Sequence, residues 1–324
     1  MSKVLEIDAL HVEYRTDEST VFALNGFSIN LDEGETLGLV GETGAGKTTM
    51  ALSILQLLPE DVGKITGGSI LYNNIDILKA SKNEMRKIRG SEISMIFQDP
   101  MTSLNPILTV GEQVREVMKL HYPEMTKTQQ NQRVDEILTL VGIQPERKSQ
   151  YPHQFSGGMR QRIVIAMALI AEPKLILADE PTTALDVTIQ AQILALMKDL
   201  KTQFDSAMIF ITHDLGIVAE FCDNVAVVYG GEVIERGSVE QVFARKDNHP
   251  YTRNLFECVP VLTSTAKRLP NMEGATMLDP TNLPKGCKYA PRCSLSSEKC
   301  TQENPEMYHV LQSHTIRCHL YNTD

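Results

Sequence analysis

The sequence has no apolar run of the 18 or more residues that a membrane-spanning helix needs; the longest candidate, Ile163 to Ala171, is far too short. It has no signal-peptide core either, since the opening Met1-Ser-Lys-Val-Leu-Glu-Ile-Asp carries acids early. The chain is therefore expected to stay in the cytoplasm, with any membrane role reached through partners. It also lacks an excess of positive charge: a net charge of -10 argues against a dedicated nucleic-acid binder, whose footprint is a basic patch, though it does not exclude a local basic groove. No internal repeat or low-complexity tract stands out. No C-x-x-C pair occurs among the six cysteines, which argues against a zinc knuckle. In a reducing compartment those cysteines are not expected to form disulfides. A hydrophobic content of 42% over 324 residues supplies a sizeable core without them.

What is present is an alternation of strand-like and helix-like segments. β-branched residues predict strands at Val4–Tyr14, Val21–Leu31, Thr36–Val40, Glu92–Phe97, Leu175–Ala178, Ala207–Thr212 and Val225–Tyr229. Helical patterns fill Thr48–Leu58, Gly157–Ala171 and Val187–Phe204. The alternation implies an α/β domain with a mostly parallel sheet. Residues 99–153 hold Pro100, Pro106, Pro123, Pro145 and Pro152 around amphipathic stretches at Val110–Leu120 and Gln132–Val141, which predicts a small helical insertion. After about Val259 regular patterning fades. Prolines and clustered cysteines follow, and the segment reads as a separate C-terminal appendage.

Two motifs carry the chemistry. Gly41-Glu42-Thr43-Gly44-Ala45-Gly46-Lys47-Thr48 follows an apolar strand and opens a helix, the context that the phosphate-loop pattern G-x-x-x-x-G-K-[ST] requires. Its glycines let backbone N–H groups face phosphate oxygens, and the helix N-terminus adds positive potential. Lys47 would bridge the β- and γ-phosphates, and Thr48 would bind Mg2+. The plain alternative is a glycine-rich turn joining strand to helix. Further on, Leu175-Ile-Leu-Ala-Asp179-Glu180 ends an apolar strand in two acids. Asp179 would stand near the Mg2+ shell, and Glu180 one residue beyond would orient the attacking water. Alone, such a pair is a buried strand ending in solvated acids.

Phe155-Ser156-Gly157-Gly158-Met159-Arg160-Gln161-Arg162 resembles the ABC signature L-S-G-G-Q-x-Q-R, with Met159 in place of the usual Gln and Phe155 in place of Leu. Read without the family, Ser156 is a good helix N-cap. The resemblance to ABC ATPases covers about residues 1 to 250, with the motifs in the family's order. It implies a P-loop NTPase of ABC type: a RecA-like core, an N-terminal antiparallel β part and a helical subdomain at about 99–170, in an ATPase domain of residues 1–258. It implies that Gly41 to Thr49 bind ATP, with Tyr14 stacking on adenine. Gln98, in Phe97-Gln98-Asp99-Pro100, resembles the Gln that senses Mg2+ and water. Ser156, Gly157, Gly158 and Met159 would act on the ATP of the opposite subunit. Ala184-Leu185-Asp186 resembles the loop crossing the dimer interface. His213, in Ile211-Thr212-His213-Asp214, resembles the switch histidine at the γ-phosphate.

Phe97-Gln-Asp-Pro-Met-Thr-Ser-Leu-Asn-Pro106 and His249-Pro-Tyr-Thr-Arg253 resemble the ATPase subunits of di- and oligopeptide importers, also related to nickel importers. Charge and periodicity alone do not reach this substrate class. In the extension, residues 259–324, Cys287, Cys293, Cys300 and Cys318 are separated by five, six and seventeen residues. From spacing alone an iron–sulfur cluster, zinc and unliganded thiols stand level. The run Lys285-Gly-Cys287-Lys-Tyr-Ala-Pro-Arg-Cys293 resembles the peptide-importer tail in which four cysteines ligate a [4Fe–4S] cluster, and that resemblance implies the cluster. Cys222 and Cys258, among apolar residues, read as buried thiols. His309, His314 and His319 read as solvated or structural, with substitution as ligands the alternative.

The resemblance implies a subunit peripheral to the cytoplasmic face of the membrane. Its partners would be two permeases, a second ATPase subunit (a paralogue favoured over a second copy) and, indirectly, a solute-binding protein. A soluble ABC-type ATPase of DNA repair or translation is the competing reading. Translation-type members carry two ATPase cores per chain and repair-type members long insertions, whereas this chain has one phosphate loop and compact intervals. A catalytically silent regulator conflicts with intact Lys47, Asp179, Glu180 and His213.

Overall fold

The computed structural model describes residues 2–183, 185–244, 247–258, 278–311 and 313–322. Ala184 of the predicted dimer loop and the first part of the predicted appendage, 259–277, lie outside the described residues. The strands are β1 (Lys3–Arg15), β2 (Thr20–Asp32), β3 (Thr36–Val40), β4 (Gly63–Tyr72), β5 (Ile75–Asp76), β6 (Ile93–Ile96), β7 (Leu175–Asp179), β8 (Ala207–Ile211), β9 (Asn224–Tyr229), β10 (Glu232–Ser238), β11 (Tyr308–Leu311) and β12 (His314–Ile316). The helices are α1 (Lys47–Ile54), α2 (Lys82–Ile88), α3 (Pro100–Ser103), α4 (Val110–His121), α5 (Lys127–Leu140), α6 (Gly157–Leu169), α7 (Val187–Phe204), α8 (Leu215–Phe221), α9 (Val239–Ala244), α10 (Pro250–Glu257) and α11 (Glu298–Gln302). The chain forms two compact units, one from Met1–Val4, Leu31–Thr36 and Lys79–Ile211, the other from Leu5–Asn30, Leu37–Leu78 and Thr212–Asp324.

In the first unit β6, β7 and β8 run parallel, with Ile93 opposite Leu175 and Leu175 opposite Ala207. Every residue of β7 and β8 is buried, which is why both strands read as continuous apolar runs and not as alternation. The helices declare their own beginnings. Ser81 with Glu84, Thr109 with Glu112, and Thr126 with Gln129 form reciprocal capping boxes at α2, α4 and α5. The Thr126 box sets the start of α5 at Lys127, earlier than the predicted Gln132. α4 buries Val110, Val114 and Met118, and α7 buries Ile193, Met197 and Leu200; both spacings give one helical face.

The second unit holds two sheets. One has the order β2-β1-β4-β5, with β1–β4 and β4–β5 antiparallel. The other has the order β11-β12-β10-β9-β3, in which β3 and β9 are parallel and the remaining pairs antiparallel. Helix α1 stops at Ile54, short of the predicted Leu58, because Gln56 turns to φ 49°. β4 and β10 carry no clear sequence signal. Fading pattern also concealed β11 and β12, short strands of the extension. Glu235 pairs with Ile316 across β10 and β12, and the fully buried Glu235 and His314 meet at 2.7 Å (Oε1 to Nε2). His314 is thus a core residue, not a solvated one. Cys222 is buried as expected, whereas Cys258 is only half-buried.

Candidate functional site

In the second unit, the phosphate-loop residues Gly41–Thr48 run from the end of β3 into α1. The turn into the helix is made by Gly46 at φ 99°, where a Cβ would stand 2.5 Å from the Ala23 carbonyl oxygen and 2.7 Å from Leu24 Cδ2. Only glycine fits both the angle and the space. Gly46 supplies no side-chain cap to α1, and a helix N-terminus carries positive potential that suits an anion. Lys47 is 6% exposed, and its Nζ donates to the carbonyl oxygens of Gly41 (2.7 Å) and Glu42 (2.9 Å). Thr48 is exposed. Tyr14 and Thr49 are joined through their hydroxyls at 3.2 Å.

Glu42 is held at both ends. Its backbone N–H donates to the Tyr251 hydroxyl at 3.0 Å, and its carboxylate accepts from both terminal nitrogens of Arg292 at 2.9 and 3.0 Å. Burial pushes the Tyr251 hydroxyl well above its ordinary value, so it stays protonated. Neither partner was legible in the sequence. They lie far along the chain, and no motif links them to the loop.

In the first unit, β7 ends in Asp179, 4% exposed. Glu180 follows at φ 46°, a left-handed conformation that costs a non-glycine residue on the order of 1–2 kcal/mol. Its Oε2 accepts from Gln98 Nε2 at 2.9 Å and from Thr183 Oγ1 at 2.9 Å. Two predicted site residues, Gln98 and Glu180, are thus in direct contact. Thr183 was missed; its only sequence signal is a hydroxyl three positions after the acid.

Ser156 caps α6, its Oγ accepting from the Met159 N–H at 3.4 Å, and Ser156 and Gly157 are exposed. A Cβ on Gly158 would stand 2.6 Å from Ile189 Cγ2. The two departures from the family octet share one neighbour. Arg147 lies 4.3 Å over the Phe155 ring and donates to Met159 Sδ at 3.5 Å. Asp186 caps α7, accepting from the Ile189 N–H at 3.0 Å. In the second unit His213 is exposed, two residues past β8.

Cys287, Cys293, Cys300 and Cys318 all line one small cavity, with Pro250, Ala290, Leu295 and Leu320 among its apolar walls. Burial pushes the Cys287 thiol up to about 11 and raises those of Cys293 and Cys318. Among the described residues no group of three or more His, Cys, Asp or Glu has metal-holding geometry. The thiols converge, then, without being drawn into a ligand set. No helix of the described residues is long and apolar enough to cross a membrane.

Residues 24–183 match the ABC transporter family, and residues 234–300 match the family described as Oligopeptide/dipeptide transporter, C-terminal region. The chain is 44% identical to the Oligopeptide transport ATP-binding protein AppD of Bacillus subtilis (strain 168), over 100% of this chain and 98% of the relative. It is 49% identical to the Dipeptide transport ATP-binding protein DppD of the same organism, over 99% and 95%. Among solved structures, the dimeric, post-hydrolysis ATP-binding cassette MJ0796 bound to ADP and Pi superposes with a TM-score of 0.65 at 30% identity. That alignment covers 72% of this chain and 98% of the other. The chain belongs to the ABC transporter ATPases and, within them, to the oligopeptide/dipeptide transport ATP-binding proteins.

Proposed function

We propose that this chain hydrolyses ATP to drive the import of di- or oligopeptides through two partner permeases, paired with a second ATPase subunit. The observation that carries hydrolysis is Glu180, one residue past the buried Asp179, in a strained conformation and fixed by Gln98 and Thr183. A carboxylate held by two donors is pre-oriented for an attacking water, and positioning is most of what phosphoryl transfer asks of a protein. Gly41 to Thr49 bind the nucleotide phosphates, Tyr14 stacks on adenine, and His213 senses the γ-phosphate. By the resemblance of their motifs, Thr48, Asp179 and Gln98 would each offer an oxygen (hydroxyl, carboxylate and amide carbonyl) of the hard type that suits Mg2+. When bound, the ion neutralises phosphate charge. Ser156, Gly157, Gly158 and Met159 serve the nucleotide of the opposite subunit, and Asp186 belongs to the interface loop.

The substrate class rests on the relatives, which are named for oligopeptide and dipeptide transport. The test is ATP-dependent uptake of a labelled di- or pentapeptide into vesicles holding the chain with its co-purified permeases. Uptake that stops in Glu180→Gln supports the reading. Hydrolysis without permease co-purification or uptake would favour the repair or translation class instead.

We read residues 259–324 as an extension of the 1–258 ATPase domain whose cysteines hold a [4Fe–4S] cluster, with zinc as the alternative. What supports the reading is that Cys287, Cys293, Cys300 and Cys318 line one cavity whose other walls are largely apolar. Four soft thiolates suit iron–sulfur or zinc over magnesium or calcium. When bound, the cluster supplies iron–thiolate bonds that crosslink the extension. Anaerobically purified protein should be brown, with about four irons per chain. Stoichiometric zinc without iron would replace the assignment.

A further inference from the structure

The Arg292 side chain ties the cysteine-bearing extension to the phosphate loop. Arg292 forks onto the Glu42 carboxylate at 2.9 and 3.0 Å, with the guanidinium side chain 9% and the carboxylate side chain 23% exposed. Bidentate, partly desolvated pairs of this kind are the strong ones. The same guanidinium donates to the Tyr229 hydroxyl at 3.3 Å and lies 5.7 and 5.9 Å from the Tyr229 and Tyr289 ring centroids. Tyr229, Tyr251 and Tyr289 pack on one another at 4.7 to 5.4 Å. Other contacts run alongside. Leu278, Pro280 and Leu283 of the extension line a cavity together with Glu42, Thr43, Gly44 and Ala45, and the Phe22 N–H donates to the Pro280 carbonyl at 2.9 Å.

Two further facts give the ion pair a direction. At its far end, Glu42 is the residue whose carbonyl holds Lys47 Nζ at 2.9 Å, so the pair stands one residue's backbone from the loop's cation. At its near end, Arg292 closes a 3-10 turn, Ala290–Arg292, hung between two of the four cysteines. The Ala290 N–H donates to the Cys287 carbonyl at 3.0 Å, and the Cys293 N–H to the Ala290 carbonyl at 3.3 Å. The Cys287 N–H in turn donates to the Cys300 carbonyl at 2.9 Å. The backbone that aims Arg292 is therefore fixed by the segments carrying the thiols.

We propose that Arg292 is a positioning residue of the phosphate loop, and that the cysteine module governs nucleotide affinity through it. The inference rests on reading residues 41–48 as the phosphate loop. An acid inside an anion-binding loop opposes phosphate by like-charge repulsion. Arg292 neutralises that acid and holds its side chain, while the Tyr251 hydroxyl holds its peptide N–H; a displaced Arg292 leaves a free negative charge beside the phosphates.

The test is the ATP dissociation constant of the full chain, purified anaerobically and measured by equilibrium binding. Arg292→Ala should weaken binding about tenfold, ~1.4 kcal/mol. Arg292→Lys, which keeps the charge but not the fork, should fall between. Glu42→Gln added to Arg292→Ala should return affinity to within about twofold of wild type, because the uncompensated charge is gone. That rescue would not follow from general disruption. Cys300→Ser should weaken binding in the wild-type background and add nothing once Arg292 is Ala. Lys47→Ala separates the two readings. If it leaves affinity unchanged, the loop assignment falls and this inference with it. If it abolishes binding while Arg292→Ala stays within about twofold of wild type, or if Cys300→Ser weakens both backgrounds equally, the Arg292 link alone is wrong.

Discussion

Two glycines of the phosphate loop share a left-handed backbone but differ in what surrounds them, and alanine at each separates strain from crowding. Gly44 lies at φ 84° with nothing within 4 Å of where a Cβ would stand, while at Gly46, φ 99°, the Cβ would meet the Ala23 carbonyl oxygen at 2.5 Å and Leu24 Cδ2 at 2.7 Å. The left-handed conformation costs either alanine ~1–2 kcal/mol. Lost unfolded-state entropy returns ~0.4–1 kcal/mol. Gly44→Ala should therefore destabilise by ~0–1.6 kcal/mol. Gly46→Ala adds ~1–3 kcal/mol of overpacking against a backbone oxygen that cannot move without shifting β2. A urea titration with an m-value of ~1–3 kcal/mol/M would show the difference as a midpoint lowered by about 1 M in Gly46→Ala relative to Gly44→Ala. ATP binding should fail in the first and persist in the second. Equal midpoints and equal affinities for the two variants would refute the reasoning, since the crowding at Gly46 would then have no energetic weight.

Glu180→Gln should retain ATP but turn over ~10²–10⁴-fold more slowly in a steady-state phosphate assay. Thr183→Ala, which removes one donor to Glu180 Oε2 and keeps the Gln98 amide, should lower kcat while KM holds; an unchanged kcat would remove Thr183 from an orienting role. Ser156→Arg, at the exposed start of α6, should spare ATP binding by the monomer and block ATP-dependent dimerisation, which size-exclusion chromatography with ATP would detect. His314→Ala leaves buried Glu235 Oε1 without its 2.7 Å partner, at a cost of ~1–3 kcal/mol. Hydrogen exchange across Tyr308–Ile316 should accelerate, and unchanged protection there would count against the pair as the anchor of β12.

How far the sequence could be read depended on how local the cause was. Leu175–Asp179 and Ala207–Ile211 were legible because strands buried on both faces are unbroken apolar runs. The phosphate loop was legible because its glycines answer to angles and spaces within a few residues. Glu180 was named from its place after an apolar strand and Gln98 by resemblance; their 2.9 Å contact was not foreseen, for it depends on the parallel register of β6 and β7. β11 and β12 were hidden because four- and three-residue strands take their order from pairing with β10, not from their own pattern. The Arg292–Glu42 pair spans 250 positions, and nothing about an arginine before a cysteine announces where its fork will land.

Two of the three capping boxes, those at α4 and α5, have a consequence for the order of events in folding. β6 has its parallel neighbour in β7, which begins 79 residues later (175 − 96 = 79). On a growing chain emerging at ~5–20 residues per second, that strand waits about 4–16 s for its partner. An exposed apolar strand edge over such an interval invites pairing with other chains. Helices of 12 and 14 residues such as α4 and α5 are marginal in water by propensity alone. Reciprocal caps worth ~1 kcal/mol apiece shift that balance locally, within microseconds and without distant contacts. Two segments of the stretch between β6 and β7 are thus biased toward helix before β7 emerges, which shortens the open chain that must search for the correct register.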